Sequence, residues 1–174
     1  PSLVGSEMCI RDRAVEHPQL WWPNGMGDPA LYTCRLAFET DGRQSDARTV
    51  TFGIREYGYE WHDGIFRLKI NGEPVYVKGG NWGMSEWLLR CRGEEYDTRV
   101  ALHRHMHFNM IRNWIGSTTD EEFYNACDRH GIMVWDDFWL NSHPNLPHDL
   151  GAFQQNAVEK IKRLRNHPSV SYTH

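Results

Sequence analysis

Two hydropathy periods run through residues 108–139, FNMIRNWIGSTTDEEFYNACDRHGIMVWDDFW. Residues 109–114 are a short apolar run with one arginine inside it. Phe123, Ala126 and Cys127 then recur at i, i+3 and i+4, one apolar face of a helix. Thr119, with Glu122 three residues on, reads as a capping box at the start of that helix. Gly131 stands where a helix end favours the left-handed conformation. Residues 132–135 are a second apolar run, ending in Asp136 and Asp137. Two short apolar strands joined by a helix predict a βαβ unit, its parallel strands buried on both faces. Each strand ends in polar and aromatic groups: Arg112 and Trp114 on the first, Asp136, Asp137 and Trp139 on the second. Parallel α/β folds build their sites at such strand ends.

The pattern before residue 64 differs. Residues 20–33, LWWPNGMGDPALYT, are broken by Pro-Asn-Gly and Gly-Asp-Pro turns. Over 31–38, Tyr32, Cys34, Leu36 and Phe38 alternate with Thr33, Arg35 and Ala37, so one face of a strand is apolar. Asp41-Gly42 is a turn, and residues 47–54 alternate again. Such a pair predicts antiparallel strands, most simply part of a β-sandwich whose first strands lie before residue 14. Residues 64–78 read as a hairpin: Phe66, Leu68 and Ile70 alternate with Arg67 and Lys69. Asn71-Gly72-Glu73-Pro74 is its turn, and the chain returns over 75–77. Gly79 and Gly80 let the backbone pass close to a neighbour, and Asn81 and Trp82 end the next strand. A loop over 83–93 carries Trp87, Arg90 and Arg92. A helix fits 94–107, with Tyr96, Val100 and His103 or Met106 on one face. After Trp139 comes a Pro-broken loop, then a helix over 152–166 with Phe153, Ala157, Ile161 and Leu164 inward. His167-Pro168 stops it, and a fourth strand is expected next. The order β-α-β-α-β-α, with no GxGxxG and no phosphate loop, fits a (β/α)8 barrel entered from a sandwich.

Composition narrows the partners. At 174 residues and 40% hydrophobic the chain has ample core, and a net charge of −4 gives no nucleic-acid footprint. No run of 18 apolar residues is present, so no membrane span is expected. Cys9, Cys34, Cys91 and Cys127 show neither CxxC spacing nor a disulfide framework, which leaves the compartment and oligomeric state open. Most of the eight tryptophans and seven tyrosines belong in cores. Those beside polar strand ends also suit stacking on sugar rings. His103 and His107 stand four apart, a metal-ligand spacing, but a wet helix face is the simpler reading; no metal or cofactor is expected. Glu121, Glu122 and Glu159 fall on helix faces as capping or solvated charges. Residues 1–13, PSLVGSEMCIRDR, and VSYTH at 170–174 fit no period and resemble translated sequencing-adapter read-through. Both are set aside as artefactual tails, and the remainder is expected to be an internal fragment of a longer protein.

Five stretches, FGIRE, NGEPVYVKGGNW, FNMIRNW, EEFYNACDRHGIMVWDDFW and EKIKRLRNHPSV, resemble glycoside hydrolase family 2 in their order and spacing. The likeness is greatest to its β-mannosidase and exo-β-glucosaminidase side and covers residues 18–169. LWWPNGMGDPALY resembles the end of that family's immunoglobulin-like domain. The resemblance implies the C-terminal part of an immunoglobulin-like β-sandwich over 14–57, then the first half of a (β/α)8 TIM barrel over 58–169, truncated. It implies a retaining hydrolase of O-glycosidic bonds in β-mannosides or related β-linked sugars. The alternatives are an exo-β-glucosaminidase, a β-galactosidase-like member, or a non-catalytic carbohydrate-binding barrel. Family members from glycan-digesting bacteria are often exported, a lean towards a periplasmic or secreted protein.

A retaining mechanism in this family uses two glutamates about 5–5.5 Å apart, one as acid/base and one as nucleophile. The resemblance places both beyond residue 174, so the fragment itself is expected to be inactive. It assigns substrate contact to Asn81, Trp82, Arg112, Trp114, Asp136, Asp137 and Trp139. Arg112 would orient the nucleophilic carboxylate or bond a sugar hydroxyl. Three stretches depart from the mannosidase pattern: Gly-Met-Ser-Glu follows Trp82 in place of Ile-Pro-Ala-Asp, Trp-Ile-Gly-Ser stands for Trp-Gly-Gly-Gly, and Trp-Asp-Asp for Trp-Gln-Asp. The sugar therefore stays open.

Overall fold

The computed structural model describes residues 14–83, 91–139 and 150–173, the last three of these by backbone alone. Trp87, Arg90, the Pro-broken loop over 140–149 and the first tail lie outside the described residues. Among those described, the strands form three sheets. The first pairs Tyr32–Thr40 (β1) with Arg43–Phe52 (β2); the second joins Tyr57–His62 (β3), Ile65–Ile70 (β4) and Glu73–Pro74 (β5). The third holds Gly79–Trp82 (β6), Met110–Asn113 (β7), Met133–Asp136 (β8) and Val170–Thr173 (β9), in that order and all parallel. Glu94–His105 (α1), Glu121–His130 (α2) and Gly151–Leu164 (α3) are the three crossovers. No helix among the described residues is long and apolar enough to cross a membrane.

One turn chemistry closes all three antiparallel connections. Asp41-Gly42, Asp63-Gly64 and Asn71-Gly72 each hold two residues at positive φ, the two-residue turn whose twist matches that of the flanking strands. Asp63-Gly64 makes a strand of YGYEWH, which the hydropathy pattern did not single out. Asn71-Gly72 alone closes the next turn, so the predicted return over 75–77 shrinks to Glu73–Pro74, although the Val75 amide still bonds the Leu68 carbonyl at 2.8 Å. The apolar alternation of β1 is real, yet Leu36, Phe38 and, on β2, Val50 are exposed on a two-stranded ribbon.

The parallel sheet has two distinct faces. Trp82, Ile111, Asn113, Val134 and Asp136 are buried on the side covered by the helices. Met110 and Met133 turn the other way and pack with Leu68, Ile70 and Trp21. Gly79 is required by a close approach, because a Cβ there would overlap the Met110 carbonyl oxygen. The Trp-Pro-Asn-Gly segment docks at the opposite end from the strand C-termini. Trp21 Nε1 donates to the Asp128 carbonyl at 2.8 Å, and the Asn24 side chain donates to the Arg104 and Phe108 carbonyls. The Asn24 amide donates to the carbonyl of Gly131, the left-handed C-cap of α2.

Three helix details correct the expectations. Asp120, not Thr119, is the N-cap of α2, with no side-chain cap bond, because the Asp120 carboxylate accepts from Tyr96 Oη at 2.8 Å. Tyr96 and Val100 are buried on α1 as expected, whereas Met106 is exposed. On α3, Ile161 faces solvent and Lys160 is buried in its place. The strand expected after His167-Pro168 is β9, formed by backbone assigned above to an adapter-like tail.

Candidate functional site

The C-terminal ends of β6, β7 and β8 stand in register. Asn81 is level with Arg112, and Arg112 with Trp135; one residue on, Trp82 is level with Asn113, and Asn113 with Asp136. Because successive side chains on a strand point to opposite faces, each level belongs to one side of the sheet.

The open side carries Asn81, Arg112 and Asp137. Arg112 Nη2 lies 2.7 Å from Asp137 Oδ2, and its Nε donates to Oδ1 at 3.1 Å, a two-pronged charge-assisted contact. The Arg112 side chain keeps 43% of its surface exposed while Asp137 keeps 8%. Asp137 Oδ2 also accepts from the Ile115 amide at 3.2 Å. Ile115 reaches it at φ 49°, a left-handed conformation that is an outlier for a β-branched residue. Trp114 opens this 3-10 turn (Trp114–Gly116), rather than ending the strand, and is half exposed. A forked guanidinium held on a carboxylate and still open to solvent can bond a second anion or a hydroxyl.

Trp82 and Asp136 stand behind the strand ends instead. The Trp82 ring is stacked on Phe123, and its Nε1 donates to Thr118 Oγ1 at 2.8 Å. Asp136 is fully buried, and its oxygens accept from Lys160 Nζ at 3.0 Å, Asn113 Nδ2 at 2.8 Å and Tyr124 Oη at 3.1 Å. Burial pushes its carboxyl pKa upward against the pull of Lys160 and the two neutral donors. Neither residue is open to a ligand. Trp139 turns to α3: its ring meets Phe153 edge-on and covers Lys160 Nζ at 5.1 Å. With Thr119, Asn156 and Arg163 it lines an open cavity of about 420 Å³.

The sequence reasoning thus placed Arg112 with Asp137 but missed Asn113, Tyr124, Thr118 and Lys160. The only signal for Lys160 was its helical phase, since 153, 157, 160 and 164 make an inward stripe as good as 153, 157, 161 and 164. His103 Nδ1 contacts the Arg99 carbonyl at 2.8 Å, and its ring meets Trp82 edge-on. Among the described residues no group of three or more His, Cys, Asp or Glu side chains is placed to hold a metal.

Comparison with known proteins adds a family likeness. The model described as Glycosyl hydrolases family 2 matches residues 3–55. A mannosylglycoprotein endo-β-mannosidase of Lilium longiflorum is 39% identical over 88% of this chain and 18% of its own length. β-Mannosidase B of Aspergillus terreus is 35% identical over 90% of this chain and 20% of its own. The chain therefore spans about a fifth of these relatives. A β-D-mannosidase from Dictyoglomus thermophilum superposes with a TM-score of 0.72 at 37% identity, covering 88% of this chain and 20% of its own. An exo-chitosanase from Amycolatopsis orientalis shares the fold, with a TM-score of 0.78 at 24% identity over 92% of this chain and 20% of its own. In sequence and in fold this chain is thus similar to members of glycoside hydrolase family 2, β-mannosidases among them.

Proposed function

We propose that the chain supplies part of the substrate-binding mouth of a retaining glycosidase acting on β-mannosides or a closely related β-linked sugar. Residues 14–57 then end an immunoglobulin-like β-sandwich, and residues 58–169 begin a (β/α)8 barrel. Sequential order in an all-parallel sheet supports the barrel: right-handed crossovers leave every helix on one side, as barrel winding requires. The observation that carries the site is the Arg112–Asp137 fork, half open at the C-terminal strand ends. Asn81 and Trp114 flank it as sugar contacts, Trp139 borders it on the α3 side, and Trp82 and Asp136 support it from behind. Arg112 holds a carboxylate ionised or bonds a sugar hydroxyl; the two catalytic glutamates come from outside these 174 residues. A β-mannoside is favoured over a β-glucosaminide because mannosidases are 35–39% identical here, against 24% for the exo-chitosanase.

The test uses the intact protein that carries this segment. Aryl β-D-mannoside, β-D-glucosaminide and β-D-galactoside are assayed side by side, and the product anomer is followed by NMR. Fastest turnover of the mannoside with retention is expected. A preference for the glucosaminide would move the assignment to that side of the family. Binding of a β-linked sugar without turnover of any of the three would make this a carbohydrate-binding barrel. The 174-residue chain alone should hydrolyse none of them.

A further inference from the structure

A buried lysine ties the open side of the sheet to its covered side. Lys160 projects from α3 with only 3% of its side chain exposed. Its Nζ has three protons and three neighbours: Asp136 Oδ1 at 3.0 Å, the Asp137 carbonyl at 2.8 Å, and the Trp139 ring at 5.1 Å. A structural ion pair needs only the first of these. The second holds the backbone of the residue whose carboxylate forks with Arg112. Gly116, left-handed at φ 61°, leaves the room: a Cβ there would overlap the Asp137 carbonyl and crowd Nζ. One cation thus meets α3, the end of β8 and the turn that follows β7.

Asp137 is thereby fixed at four points. Its amide donates to the Asn113 carbonyl at 3.3 Å, and its carbonyl accepts from Lys160. Its carboxylate takes the Arg112 fork and the Ile115 amide. The Lys160 contact is the only one of these made from an α-helix. Losing it would free the chain just after β8 to rotate about Asp137, and Arg112 would follow the carboxylate.

We propose that Lys160 is a positioning residue: through the Asp137 carbonyl it sets the place of the Arg112–Asp137 fork. The proposal rests on the glycosidase reading of that fork. Lys160 touches no substrate; it acts through Asp137, and its effect appears in kcat rather than in melting alone.

The experiment compares variants of the intact protein on an aryl β-mannoside, assayed well below every melting temperature. Lys160→Met strands the buried Asp136 carboxylate, so it should both melt early and lose kcat/KM. Lys160→Met combined with Asp136→Asn removes the stranded charge, so most of the melting temperature should return. kcat/KM of this double variant should stay roughly 10–100-fold down, mainly through kcat, because the Asp137 carbonyl still lacks its donor. Lys160→Arg, which keeps a cation and donors, should recover more activity than Lys160→Met. A double variant whose folded fraction turns over within about threefold of the parent overturns the proposal, whatever its melting temperature, and leaves Lys160 as mere charge compensation. Arg112→Ala is run in parallel. Normal kcat/KM there breaks the glycosidase reading of the fork; low kcat/KM there beside a normal double variant breaks only the role of Lys160.

Discussion

Asp136 and Asp137 are neighbours in the chain with opposite surroundings. Asp136 is closed in by Lys160, Asn113 and Tyr124 on the helix side of the sheet. Asp137 faces the open side, where Arg112, the cation paired with its carboxylate, is nearly half exposed. Trp82 and Asn81 repeat the contrast on β6, one buried and the other exposed. The covered side spends its polar groups on one another, which fixes the strand ends in place. The open side leaves donors free. A one-residue step along a strand therefore separates a closed polar network from an open one, and substitutions on the two sides should fail in different ways.

The largest effect is expected on the covered side. Asp136→Ala leaves Lys160 buried without its carboxylate, which should cost about 3–5 kcal/mol of stability. Denaturant unfolding of the intact protein measures it, and a loss under about 1 kcal/mol would show that water reaches Nζ after all. On the open side, Arg112→Ala should leave melting nearly unchanged. It should remove about 3–4 kcal/mol from kcat/KM if its bonds strengthen in the transition state. A variant that melts early yet turns over normally would make Arg112 a support residue and erase the contrast. Gly79→Ala tests the register that both sides share. Its new Cβ meets the Met110 carbonyl, so β6 must shift against β7, at about 1–3 kcal/mol. Asn81 moves with it. An alanine variant as stable as the parent would mean that the strand end yields more easily than its pairing suggests.

The elements behind this contrast were legible in the sequence, the contrast itself was not, and the limits are physical. Apolar runs, helical periods and Gly131 located the βαβ units, and polar groups at strand ends named the candidate site residues. What hydropathy lacks is an anchor for the pleat. Asp136 and Asp137 are equally polar, and only the packing of Val134 against the helices decides which of them turns inward. The phase of α3 failed likewise. Ile161 is the more apolar choice, yet Lys160 is buried because a carboxylate lies beneath it. YGYEWH was passed over as a strand because its signal was the Asp63-Gly64 turn beyond it, not its own alternation. Asp120 stands at the helix start in place of Thr119, and Tyr96, distant in the chain, takes the carboxylate that would otherwise cap it. Apart from YGYEWH, each miss is a tertiary partner overriding a local preference.

The smallest expected effect lies at the junction after α3, where His167 meets α2 just before β9. Its Nδ1 is 2.6 Å from Asp128 Oδ2 and its Nε2 is 2.9 Å from Glu121 Oε1, so each ring nitrogen faces a carboxylate oxygen. Tyr124 packs on the ring from the same helix. Arg55 donates to the His167 and Pro168 carbonyls, and Tyr57 to the Pro168 carbonyl. Burial pulls the imidazole pKa down, but the hydrogen bond and charge of Asp128, then those of Glu121, outweigh it, and the net shift is upward. Glu121 is half exposed, so its share is screened. A folded-state pKa above the unfolded value of 6.5 means that folding takes up a proton at His167. This contribution to stability is full below pH 6.5 and disappears as the pH rises through the folded-state value. The melting temperature of the parent should thus fall faster across that window than that of His167→Gln, which keeps the size and one donor but cannot titrate. Parallel profiles for the two would show that folding takes up no proton at this ring.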